Sequence, residues 1–127
     1  MNNKKIENVL NLSAEDRYNY FIRKSVDFEE VWGLKDKDGW ALLGSDNKEK
    51  LFPIWSEKEF AELCAVDNWD NYVPAVILLS DFLNKLLPKL EKDNILFAVF
   101  LTPKNKGIVV APKKVKMDIE NECEQYE

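Results

Sequence analysis

Few side chains in this sequence can take part in a reaction. Cys64 and Cys123 are the candidate nucleophiles, and the close acid pairs Glu29/Glu30, Asp36/Asp38 and Asp67/Asp70 are the candidate general acids and bases. The chain has no histidine, which excludes Ser-His-Asp and Cys-His systems, zinc sites with imidazole ligands and an imidazole pH switch. A thiol acts without histidine where a helix N-terminus or a cation lowers its pKa. Neither cysteine has that setting: Cys64 falls well after its expected helix cap Ser56, and Cys123 stands between Glu122 and Glu124. Both read as small buried apolar residues.

The acids have equally plain explanations. Asp36 and Asp38 alternate with Lys35 and Lys37 in a turn, and the calcium-loop pattern is not completed after Gly39. Adjacent Glu29 and Glu30 point to opposite sides of a strand. The glycines Gly33, Gly39, Gly44 and Gly107 form no GxGxxG or GKS/T string, so those phosphate cradles are absent. No catalytic residue, metal site or cofactor is therefore expected.

Aromatic residues are the informative surplus, at 12% of the chain with four tryptophans. Trp32 and Trp40 flank a turn and are predicted to pair across two strands. Trp69 and Tyr72 lie in DNWDNY, where no periodicity directs them to a core. With Trp55, which follows Pro53, they are the candidate binding residues, in the composition favoured at interaction hot spots.

The elements that carry these residues follow from patterning. Ser13 caps a helix with Ala14, Tyr18, Phe21, Ile22 and Ser25 on one face. EEVWGLKDKDGWALLG, Glu29 to Gly44, predicts two antiparallel strands around an Asp38-Gly39 turn. A second turn, Ser45 to Lys50, leads into LFPIW, where Pro53 predicts a short or edge strand. Ser56 and Glu59 have capping-box spacing ahead of Phe60, Ala61, Leu63 and Cys64. Val76 to Leu79 reads as a buried strand. Ser80 then caps a helix with Phe82, Leu83, Leu86, Leu87 and Leu90 on its stripe, which Pro88 ends or bends. NILFAVFLTPKNKGIVVAP predicts a hairpin, and Pro112 opens a last helix with Val115, Ile119, Cys123 and Tyr126 on one face. That helix starts with Lys113, Lys114 and Lys116 and ends with Glu120, Glu122, Glu124 and Glu127, against its macrodipole, so docking must stabilise it. The expected fold is α+β, a single mainly antiparallel sheet of about five or six strands with about four helices packed on it.

Length and composition bound the rest. The chain has 127 residues, 46% of them hydrophobic, enough for one core and one domain over residues 1–127, with 1–12 a loosely ordered N-terminus. With 18 basic and 23 acidic residues the net charge is −5, which argues against nucleic acid and anionic membrane surfaces as partners. MNNKKIENVLNL is too polar for a signal peptide, and no stretch reaches the roughly 20 apolar residues of a membrane span. A cytoplasmic protein with reduced thiols is expected.

The strings RYNYFIRKSVDFEEVWGLKDKDGWALLG, LFPIWSEKEFAELCA, VFLTPKNKGIVVAP and ECEQYE, in this order, resemble the bacterial domain-of-unknown-function family 2750 over nearly the whole chain. Ser56 and Leu101 depart from prolines expected in relatives. The resemblance implies a small single-domain bacterial cytosolic protein without an established activity, and carries over no functional residue. The segment from LFPIW into the following helix also resembles, locally, the amino-terminal domain of enhanced-serine-sensitivity and secretion-associated proteins.

The expected function is a non-catalytic protein-interaction or regulatory module, with an immunity-type protein as one form, binding a basic protein partner through Trp55, Trp69 and Tyr72. The alternative is a small-ligand sensor or carrier using the same aromatics as a pocket, and the third reading is a carboxylate-dependent enzyme.

Overall fold

The computed structural model describes residues 2–44 and 47–125. Tyr126 and Glu127, expected in the last helix, and Ser45, expected to start the second turn, lie outside the described residues. The chain opens with a helix that the sequence did not announce, α1 (Asn3–Leu10), where Asn2 Oδ1 accepts the Lys5 N–H at 2.8 Å. Helix α2 (Ala14–Phe28) starts as expected, with Ser13 Oγ accepting the Asp16 N–H at 3.1 Å. It buries Tyr18, Phe21, Ile22 and Ser25, together with Arg17, Tyr20 and Val26. Glu29 ends it in the left-handed region, φ 55°.

The strands form two sheets rather than the single sheet expected. The first, in order β2-β1-β5, contains β1 (Glu30–Asp36), β2 (Gly39–Trp40) and β5 (Val73–Leu78). The second, in order β3-β4-β6-β7, contains β3 (Leu43–Gly44), β4 (Lys50–Ile54), β6 (Leu96–Val99) and β7 (Ile108–Val110). Pairing is antiparallel throughout except between β4 and β6, which are parallel. The sheets meet where Trp32 and Trp55 form an antiparallel bridge. Beyond it β1 and β4 diverge, and residues 39–44 run between them. Trp40 pairs opposite Lys35 of β1, and Leu43 pairs opposite Leu51 of β4. One extended segment thus serves two sheets, which is why the first hairpin has so short a second strand. It also separates Trp32 from Trp40, which do not form the expected cross-strand pair. Trp32 lies opposite Val76, and Trp40 stacks at 5.7 Å on Phe52 and leaves no room for a side chain at Gly33.

Strand β4 is short, five residues, as one form of the Pro53 reading has it, but it is interior and not at a sheet edge. Trp55 directs both its N–H and C=O toward Trp32, so Pro53, two residues earlier, turns its nitrogen to that same side. That side falls in the gap between the last β3 pairing at Leu51 and the bridge at Trp55. No ladder bond is lost there. Pro74 is placed by the same rule. Because Trp32 bonds to Trp55, its pairing with Val76 is the non-hydrogen-bonded kind, and Pro74 and Val76 direct their backbone groups away from β1.

Strand β5 is not buried: of its residues only Ile77 is, because β5 is a sheet edge. Helix α3 (Lys58–Leu63) begins without the expected capping box. Glu57 is its N-cap residue, no side chain caps it, and Ser56 Oγ is buried without a partner. The following helix starts one residue before Ser80, as α4 (Leu79–Asp81), widens into a π-helical stretch (Phe82–Leu86) and resumes as α5 (Leu87–Lys92). Pro88 neither ends nor shortens it. A proline removes the donor for the carbonyl four residues back, and the wider turn before it takes up that displacement. Helix α6 (Pro112–Glu124) opens on Pro112, buries Val115 and Ile119, and packs on α2 and α5, the docking its charge order requires. The core between sheets and helices is aromatic, with Phe21, Trp55, Phe60, Phe82, Phe97 and Phe100 fully enclosed.

Candidate functional site

The three residues marked by the sequence separate in the fold. Trp55 is fully buried at the C-terminal end of β4, and its indole N–H donates to the Leu101 carbonyl at 2.8 Å. It therefore cannot line an exposed groove. Tyr72 is half-buried and turns toward the β1–β2 hairpin. There, partial burial and then the charge and hydrogen bond of Asp36, with Asp38 behind it, raise the phenol pKa. Trp69 alone reaches a concave surface. It closes a 3-10 turn (Asp67–Trp69) in which Asp67 has φ 54° and the Trp69 N–H bonds the Val66 carbonyl at 3.0 Å.

The groove beside Trp69 has a volume of about 510 Å³ and opens to solvent along its length. One wall is Val66, Asp67, Asn68 and Trp69, the other Leu42, Leu43 and Gly44, with Cys64 and the Leu101–Pro103 segment also lining it. Leu42 and Val66 are 43% and 50% exposed. Leu101 also borders a second groove of about 400 Å³ with Leu43, Leu51, Ala98 and Val109, on the sheet face away from Phe52 and Phe97. Both grooves are thus set by where the 101–103 segment lies.

That segment is held from below. After Val99 the backbone takes a left-handed conformation at Phe100, whose φ of 62° is rare for a bulky residue. Arg17, buried in α2, donates to the Phe100 carbonyl at 3.3 Å and to the Leu12 carbonyl at 2.6 Å. Trp55 and the Cys64 thiol, at 3.4 Å, both donate to the Leu101 carbonyl. Trp55 is thus a support for the groove floor rather than a contact surface. The Thr102 hydroxyl accepts the Asn105 N–H at 2.9 Å and closes the turn. Arg17 and Phe100 were not singled out in the sequence: an arginine on a helix and a phenylalanine after a strand carry no local signal of these roles.

Cys64 is buried as expected, but Cys123 is only half-buried, and Glu29 caps α2 instead of sharing a strand with Glu30, because its left-handed backbone ends the helix before β1 begins. Burial pushes the Cys64 thiol up to about 11, which suppresses the thiolate. Asp36 Oδ1 accepts the N–H groups of Asp38 and Gly39, at 2.8 and 3.1 Å, and so forms the hairpin turn. Glu30 accepts from the Trp32 indole at 3.1 Å. The one acid that the sequence reading missed is Glu57, 6% exposed, whose carboxylate accepts the Tyr20 hydroxyl at 2.8 Å while Oε2 has no partner. Burial raises its pKa more than the Tyr20 bond lowers it. Its partner is a phenol, so it forms no paired-carboxylate site. Among the described residues no group of three or more His, Cys, Asp or Glu is placed to hold a metal ion, and no helix is long and apolar enough to cross a membrane.

A slightly larger groove, about 530 Å³, lies between α2 and α6. Its central polar groups are committed to each other. The Tyr18 hydroxyl donates to Asp118 Oδ2 at 2.6 Å, and Lys114 donates to both Asp118 oxygens at 2.9 and 2.8 Å. The Trp69 groove keeps exposed apolar side chains instead.

No curated protein and no solved structure matches the chain. A family model does, over residues 18–119, the stretch that runs from Tyr18 in α2 to Ile119 in α6 and contains both sheets, the Trp69 turn and the 101–103 segment. On that match the chain belongs to the family described as Protein of unknown function (DUF2750).

Proposed function

We propose that this protein is a single-domain, non-catalytic interaction module of the bacterial cytosol, regulatory in role and with immunity-type action as one form of it. In this reading a protein partner docks an apolar side chain into the Trp69 groove. The observation that carries the proposal is the convergence of Leu42, Val66, Trp69 and Leu101 on one open groove. An aromatic anchor among exposed aliphatics, with Asp67 at the rim, has the anatomy of an interaction hot spot. The net charge of −5 favours encounter with a basic partner. The inert Cys64 thiol in the groove supports binding rather than nucleophilic chemistry.

The test compares partner capture by the wild type, Trp69→Ala and Val66→Asp, with Tyr72→Ala as a surface control. Loss in the first two variants and retention in the third supports the groove. Equal capture by folded Trp69→Ala and wild type refutes it.

A second reading, a small-ligand sensor, is favoured by the groove's volume, which lies within the range of about 300–1,000 Å³ usual for ligand sites. It predicts thermal stabilisation by a metabolite that disappears in Trp69→Ala.

A further inference from the structure

We propose that the outer edge of β5 is a self-association surface that pairs, antiparallel and about a two-fold axis at Val76, with β5 of a second copy of this chain. Three of the exposed large apolar residues, Val73 (61%), Val76 (45%) and Leu78 (57%), stand on this one strand. The sequence Val-Pro-Ala-Val-Ile-Leu carries no charge, so the strand lacks the edge lysine that ordinarily discourages pairing. An interaction surface of this kind asks for a β-strand, because backbone groups as well as side chains are left open.

The register follows from bonds already described. Trp32 spends its N–H and C=O on Trp55, so the residues of β5 opposite Trp32, Leu34 and Glu30 direct their backbone outward. Those residues are Val76, Pro74 and Leu78. An axis at Val76 places Val76 opposite its own symmetry mate and Pro74 opposite Leu78 of the second copy. The two Val76 residues then exchange a pair of bonds. Each Leu78 N–H finds the other copy's Pro74 carbonyl, so the proline's missing N–H removes only the bonds at the ends of the ladder, where water reaches.

An uncharged strand with a self-complementary register suits a second copy as the occupant. The pairing brings no like charges face to face within the ladder, although the chain as a whole repels itself at −5. Side chains match as well, valine on valine and proline on leucine, and the first sheet extends from three strands to six. A six-residue ladder is only about 20 Å long. It sits at the small end of interface sizes, so a weak, concentration-dependent dimer is expected.

Sedimentation velocity on the full chain from about 1 to about 500 µM tests this, beside Val76→Lys and Val76→Pro. The Val76 N–H points away from β1, so proline there spares the β1–β5 ladder and removes the central intermolecular bonds. The expected result is a concentration-dependent dimer in the wild type and a monomer in both variants, with unchanged circular dichroism. Should Val76→Pro misfold, the exposed Val76→Lys change decides alone. A wild type that is monomeric throughout, or a dimer that survives a folded Val76 variant, overturns the proposal, and either result leaves the Trp69 groove untouched.

Discussion

Trp32 and Trp55 exchange two backbone hydrogen bonds of 2.8 Å, N–H to C=O in each direction, and join the two sheets at that point. The same Trp55 sends its indole N–H to the Leu101 carbonyl, so one residue holds both the sheet junction and the groove floor. Trp55→Ala is expected to cost about 3–5 kcal/mol, the range for a buried tryptophan. Trp55→Phe leaves the Leu101 carbonyl with only the weak thiol donor of Cys64 and is expected to cost about 1–3 kcal/mol. Urea denaturation followed by circular dichroism measures both. A Trp55→Phe protein as stable as wild type would show that the indole bond contributes nothing.

Two glycines give a matched pair of predictions. A Cβ at Gly107 would lie 2.2 Å from the Val99 carbonyl oxygen, a backbone atom that cannot retreat without disturbing β6 and β7. Gly107→Ala is expected to lose about 2 kcal/mol or more. A Cβ at Gly44 meets nothing within 4 Å, and Gly44→Ala is expected within about 0.5 kcal/mol of wild type. Melting temperatures of the two variants, measured side by side, should separate clearly.

The Cys64 thiol, pushed up to about 11 by burial, should resist alkylation. At pH 8 roughly one molecule in a thousand holds the thiolate, against tens of per cent for an ordinary thiol. Mass spectrometry after iodoacetamide treatment should find Cys64 unmodified in native protein and modified once the chain is denatured.

Glu57 sets a pH dependence. Its folded pKa is raised above the unfolded value, so the folded state holds the proton more tightly. Its contribution to stability is therefore most favourable below the unfolded pKa, declines as pH rises through the raised folded value, and is flat above it. Glu57→Gln keeps an acceptor for the Tyr20 hydroxyl and removes the buried charge. The variant should match wild type in acid and gain on it across that window, in melting curves between about pH 4 and pH 8. A gap that widens toward acid would contradict the assignment.

Local signals in the sequence located elements well and partners poorly. Ser13 did cap α2, a hairpin did form at the Asp38-Gly39 region, though with Lys37 and Asp38 as its turn and Gly39 already in β2, and Pro112 did open α6, because each depends on neighbours within a few residues. The two-sheet arrangement was not legible, since it depends on residues 39–44 leaving β1 for β4, a long-range choice without a local mark. Pro53 misled for a related reason. The rule that proline avoids interior strands holds for a missing N–H that faces a partner, and here it faces a gap. The capping box failed because Ser56 is swallowed by the core before the helix begins.

The site was half legible. DNWDNY set Trp69 apart as an aromatic without a core periodicity, and it lines a groove while packing partly on the core, but Trp55, grouped with it because it follows Pro53, is wholly internal. What distinguishes them is the Leu101 carbonyl, which lies far along the chain. Arg17 and Glu57 were invisible for the opposite reason: charged residues are read as surface, and these are buried by contacts with distant segments.

The order in which the strands pair also governs how the chain can be assembled. Strand β1 must find β5, and β4 must find β6, and these two long closures interleave along the sequence. The chain between Ile54 and Val73 lies inside both loops, so a cut anywhere within it parts β1 from β5 and β4 from β6 together. Neither sheet can be completed by a fragment, and the loop-closure entropy of both must be met in one cooperative, comparatively slow step.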